Sequence, residues 1–132
     1  MTKLKSILQS LPAWMLSGVC LLVVLYLTLT PKPLGENDFI LFTNADKVVH
    51  GIMFGGLLVA ICVDKWRQKT FNLPSIKFVM RAAFGVILLG GVIELLQMVM
   101  NIGRSADVWD FIADSIGVIL MVIIYLSYRY DR

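Results

Sequence analysis

Acids, an amide, a histidine and a few cations stand inside otherwise apolar stretches of this 132-residue chain. Glu94, Gln97 and Asn101 recur at i, i+3 and i+7, one face of a helix, with Gly90 one turn below. Asp107, Asp110, Asp114 and Gly117 repeat that spacing beyond a short break at Gly103 and Arg104. Asp46, Lys47 and His50 open another apolar run, Asp46 and His50 one turn apart. Carboxylates beside a histidine can do general acid–base work, which makes Asp46, His50, Glu94, Asp110 and Asp114 the candidate catalytic group. Lys47, Gln97 and Arg104 are the candidate ligand contacts; the two cations suit an anion such as a phosphate, and Arg104 would bind it in bidentate fashion. An oxygen-rich set of this kind would suit magnesium, calcium or manganese better than zinc. No Ser-His-Asp order, phosphate-cradling glycine loop or Cys/His zinc spacing is present, and no resident cofactor is expected.

Each of these residues also has a structural role to weigh. Thr43-Asn44-Ala45-Asp46 reads as a capping box, and an acid in a first turn suits the helix dipole. Asp107-x-x-Asp110 reads as an N-cap followed by an acid at the third helical position. Lys47 near a helix N-terminus is unfavourable unless an acid is close. His50, the only histidine, could be a satisfied interior polar residue. Glu94, Gln97 and Asp114 lie too deep for capping.

The elements that carry them come from composition. Hydrophobic residues make up 58% of the chain, and mean hydropathy is +0.81. They fall into four runs, Ala13–Thr30, Ala45–Val63, Phe78–Met100 and Trp109–Ser127, each near the ~20 residues that cross a bilayer. The expected fold is all-α: a polytopic membrane protein, one four-helix transmembrane bundle occupying residues 1–132. Residues 1–12 read as a short basic lead, with Pro12 placed to begin a helix. The first run is too long for a signal peptide and lacks a small-x-small cleavage site, so it reads as a retained span with Trp14 and Tyr26 at the interfaces. Phe39–Phe42 is too short to span and is expected in the outer interface.

Net charge is +3, but the basic residues are spread among loops rather than gathered for nucleic acid. Lys3 and Lys5 precede the first span, Lys65, Arg67, Lys69, Lys77 and Arg81 surround the middle loop, and Arg129 and Arg132 follow the last span. The positive-inside rule therefore places both termini and the middle loop in the cytoplasm. The middle loop's charge reads as an orientation signal and an attraction to anionic lipid. Cys20 and Cys62 match no metal motif and read as small apolar packers.

With that orientation, Glu94 sits about 9 Å and His50 about 6 Å from the outer ends of their helices at 1.5 Å per residue. Asp46, Lys47, His50, Glu94, Gln97, Arg104, Asp107, Asp110 and Asp114 thus converge on the outer third of the membrane. A carboxylate facing lipid there carries a penalty on the order of 2.5–3.5 kcal/mol, so a cation or shared proton is expected for Glu94 and Asp114. Arg104, Lys47 and His50 are the available partners.

Asp46-Lys47-x-x-His50 at the start of one span, Glu94-x-x-Gln97 late in the next, then Arg104, Asp110 and Gly117, resembles the VanZ-like family over about Asn44 to Leu120. The chain departs from that pattern at Asp114, where the family has Asn. Met121 replaces the second glycine of its closing Gly-x-x-x-Gly and removes half of a close-packing pair. The resemblance implies a membrane protein associated with teicoplanin resistance, a phenotype and not a reaction. Three functions follow. One is a non-catalytic membrane protein that alters how lipoglycopeptides meet the cell envelope, its polar cluster an internal staple. Another is an enzyme or binding module for a lipid-linked or lipid phosphate, with membrane lipids as partners. The third is a small proton-coupled transporter working as an oligomer, with Glu94 titrating.

Overall fold

The computed structural model describes residues 3–31, 44–101 and 105–131. These form five helices: α1 Lys3–Ser10, α2 Met15–Leu29, α3 Ala45–Gln68, α4 Ile76–Met100 and α5 Val108–Tyr130. α3, α4 and α5 are each long and apolar enough to cross a membrane; counted as one span, α1 and α2, bent by 67°, bring the number to four. The protein is an all-α polytopic membrane protein. The expected interfacial segment Phe39–Phe42, Thr43 of the expected capping box, and Arg104 lie outside the described residues.

α3 is the central helix, packed against α2, α4 and α5. Phe54, Leu57 and Leu58 from it meet Val24 of α2, Ala83, Val86 and Ile93 of α4, and Val118 of α5 in one buried cluster. The outward faces are just as apolar: Leu22, Ile52, Phe84, Leu95 and Ile123 are all exposed. In water such a surface would drive association; in lipid it is the solvated face. Packing, hydrogen bonds and small residues must therefore hold the helices together.

The α3–α5 seam shows this directly. A Cβ built on Gly117 would lie 2.0 Å from the backbone oxygen of Gly51, and one on Gly55 would lie 3.0 Å from that of Gly117. No side chain fits at position 117 without parting the helices. The looser packing expected from Met121 is corrected here: the small residues are Gly51 and Gly55 on the facing helix, and Met121 packs over Gly55.

The end bearing Arg67 corrects two further expectations. Residues 3–10 are helical, not a plain lead, and α3 runs on to Gln68, burying Asp64 and Arg67 instead of leaving them in a loop. Asp64 accepts from the Ser17 backbone N–H (2.8 Å) and hydroxyl (2.6 Å), satisfying the start of α2, whose N-cap residue Trp14 offers no side-chain cap. Arg67 pairs with Asp64 (2.6 Å) and donates to the carbonyls of Leu8 in the last turn of α1 (3.2 Å) and of Leu11 (2.8 Å) and Pro12 just past it. One buried ion pair thus satisfies backbone groups on both sides of the bend, groups that would otherwise be orphaned. Beside it Trp14 stacks on Phe78, and the Lys65 ammonium lies over both rings.

Candidate functional site

At the opposite end, the start of α3, the end of α4 and the start of α5 bring the sequence-selected polar residues together. Asp107 caps α5, its side chain accepting from the Trp109 N–H at 2.9 Å, the N-cap bond expected of it. In a capping box the acid at the third helical position would bond back to the cap's own N–H. Asp110 occupies that position but turns to α3, and Glu94 of α4 takes the Asp107 N–H instead, at 2.8 Å. The box is divided between two helices, which ties α4 to α5.

Lys47 fills the space between the acids. Its ammonium lies 2.8 Å from Asp107, 3.0 Å from Asp110 and 3.4 Å from Asp46. This is the acid neighbourhood that a lysine in a first helical turn requires. The bond from Lys47, with that from the Trp109 N–H, holds the Asp107 carboxyl below the usual aspartate range. Asn44 caps α3 with a left-handed backbone (φ 65°) and makes no side-chain cap bond; Asp46, in the first turn, accepts from the Lys47 ammonium.

One turn deeper, His50 Nδ1 lies 3.0 Å from Asp114 Oδ1, and its Nε2 is 3.8 Å from Asp110 Oδ2. The imidazole, 5% exposed, stacks on Phe54 with an 8° interplanar angle, and Asp114 is 1% exposed. One proton between Nδ1 and Oδ1 makes this contact a hydrogen bond. The second oxygen of Asp114 rests over Gly90, where an added Cβ would stand 3.1 Å away. Gly90 is therefore the floor that admits the carboxylate between α4 and α5.

Glu94 and Gln97 complete the site from α4. Both are buried, and Gln97 donates to the carbonyl of Thr28 at 2.7 Å, joining α4 to the end of α2. Glu94 Oε1 and Gln97 Oε1 are buried acceptors to which nothing among the described residues donates. Asn101 leaves the stripe: it is exposed and ends α4 in a left-handed conformation (φ 46°). Arg104, a candidate partner for Glu94, lies outside the described residues, and among them no cation forms an ion pair with Glu94.

The described cluster thus sets five carboxylates, from Asp46, Glu94, Asp107, Asp110 and Asp114, against one lysine and one histidine. It is rich in acceptors, and Lys47 is already engaged by three acids. Among the described residues no three His, Cys, Asp or Glu side chains are grouped to hold a metal ion.

The sequence reading passed over three residues of this site: Gly51, Gly55 and Thr28. Gly51 and Gly55 set the α3–α5 approach that brings His50 to Asp114, and their Gly-x-x-x-Gly spacing was the available signal. Thr28 contributes only a carbonyl, for which no sequence signal exists. At the other end of the bundle, Asp64 and Arg67 read as loop charges in the sequence and form a buried pair on α3 in the structure.

The VanZ/LLP1 family model matches residues 9–129, nearly the whole chain. No curated protein matches, and no solved structure does.

Proposed function

The chain belongs to the VanZ/LLP1 family, and from that premise we propose that it acts at the outer face of the bacterial cytoplasmic membrane. Both termini lie in the cytoplasm in this reading, and the protein alters how lipoglycopeptides such as teicoplanin meet the cell envelope. The basic residues at the Arg67 end support that orientation under the positive-inside rule. The Lys47 end then faces outward as an acceptor-rich site for a hydrogen-bond donor.

One observation carries this reading. A self-contained staple would satisfy all its buried groups, as Lys47, His50 and their carboxylates do for one another. Glu94 Oε1 and Gln97 Oε1 are left over, buried, with no donor among the described residues. Leaving such a group unmade costs about 1–3 kcal/mol, so an incoming donor would be favoured. A phosphate-bearing envelope lipid is the second reading, and it would require Lys47 to leave its three carboxylates.

Glu94→Gln tests the proposal. The amide keeps an acceptor for the Asp107 N–H but puts a donor where Oε1 offered an acceptor. In a susceptible bacterial host, the variant should insert and resist heat nearly as wild type does, while the teicoplanin phenotype conferred by the protein is lost. A stable Glu94→Gln protein with full phenotype would leave the cluster a staple.

A further inference from the structure

A second site lies at the other end of the bundle, away from the acidic cluster. Between α3 and α5, under the α3–α4 connection, runs a groove of about 520 Å³. Its floor is apolar, with Leu58, Cys62 and Met121, and its rim carries Lys5, Trp66 and Tyr125. The connection folds over it because Thr70 and Phe71 both adopt left-handed backbone (φ 53° and 64°). Phe71 is held there by the edge of Trp66 (4.6 Å) and by the Lys5 ammonium, 5.1 Å from its ring. The Tyr125 hydroxyl donates to the Pro74 carbonyl, and Arg129 donates to the same oxygen at 2.6 Å. The rim is thereby fixed in place before anything binds.

Charge selects the occupant. Lys3, Lys5, Lys65, Lys69, Lys77, Arg81 and Arg129 all lie at this end. Among the described residues the acids there are Asp64, already paired with Arg67, and Asp131. An apolar trough with an aromatic rim, set in uncompensated positive charge, fits an amphiphile with an acyl chain and a negative headgroup. We propose that this groove is a binding site for an anionic glycerophospholipid, its chain against Leu58 and Met121 and its phosphate at Lys5. The site uses no residue of the acidic cluster and stands whether or not that cluster has a ligand.

The test follows Trp66 fluorescence in the full chain, purified in detergent, with Trp14 and Trp109 replaced by Phe. Phosphatidylglycerol with brominated chains should quench Trp66 at a lower mole fraction than phosphatidylcholine with the same chains. Lys5→Gln should weaken that preference about fivefold, the effect of one lysine near an anionic surface, and Lys5→Arg should retain it. Glycerol 3-phosphate, an anion without chains, should leave the quenching intact. Equal quenching by the two lipids, a preference unchanged in Lys5→Gln, or displacement by glycerol 3-phosphate would each overturn the assignment. Lys5 is exposed, so its variants are expected to fold.

Discussion

The backbone N–H of Asp107, which caps α5, donates to Glu94 of α4 at 2.8 Å. A residue deep in an apolar run therefore completes the first turn of the next helix. The same carboxylate offers its other oxygen to the site, so Glu94 is at once a joint and an acceptor. Removing it should cost both. Glu94→Leu, which leaves the Asp107 N–H without its acceptor, should destabilise by about 1–3 kcal/mol, and Glu94→Gln by less. Thermal unfolding in one detergent orders the three proteins, and equal midpoints for wild type and Glu94→Leu would show that the bond holds nothing.

The glycine seam predicts a contrast within one fold. Gly117→Ala places a methyl group against the Gly51 carbonyl and should destabilise by at least about 1–3 kcal/mol. Gly56→Ala meets nothing within 4 Å and should be neutral or gain up to about 1 kcal/mol from helix propensity. Similar midpoints for the two variants would contradict the close crossing.

Asp64 and Arg67 are both fully buried partners of one ion pair. Arg67→Leu leaves the Asp64 charge uncompensated and should cost about 3–5 kcal/mol. An Asp64→Asn, Arg67→Leu double variant should recover part of that loss, because no bare charge remains. A double variant as unstable as the sum of the single losses would show that the two groups act separately.

Acid should loosen the Lys47 end. The folded-state pKa of Asp107 is depressed by Lys47 and by its cap bond, so the stability it contributes is present above the ordinary aspartate value of about 3.9 and is lost as pH falls through the lower folded value. Asp107→Asn, which remains a good N-cap, should flatten that acid limb. An unchanged pH profile in the variant would assign the limb to another group.

Orientation has its own test. Single cysteines at Ser105 and at Gln68, with Cys20 and Cys62 replaced, should label oppositely. Ser105 should react with an impermeant reagent on intact spheroplasts, and Gln68 only after lysis. Labelling of Gln68 from outside would reverse the proposed topology.

The spans were legible because their physics is local: four apolar runs and the turn residues between them place the helices within a few residues of where they lie. The polar residues at the Lys47 end were legible because burying Glu94 or Asp114 in an apolar run is costly, and cost draws partners. What escaped was relational. Nothing in the sequence says that Glu94 will cap another helix, or that Gln97 will reach a carbonyl of Thr28. Asp64 and Arg67 resemble orientation charges until α1 bends back and offers its carbonyls to the guanidinium. Asn101 kept the helical spacing but fell where α4 ends, and spacing alone does not mark an end.

The bend between α1 and α2 also gives the molecule an uneven height. α2 has 15 residues, about 22 Å of helix, whereas α3, α4 and α5, with 23 to 25 residues, rise about 34–38 Å. The hydrocarbon of a bilayer is about 30 Å thick, so lipids beside α2 meet a wall too short for them while those beside the other helices do not. A bilayer around it would thin on that flank, beside the end where α1 folds back against α3. A sheet deformed on one side favours whatever shares the dent. Thinner patches of membrane, or a neighbour with an equally short helix, would relieve it.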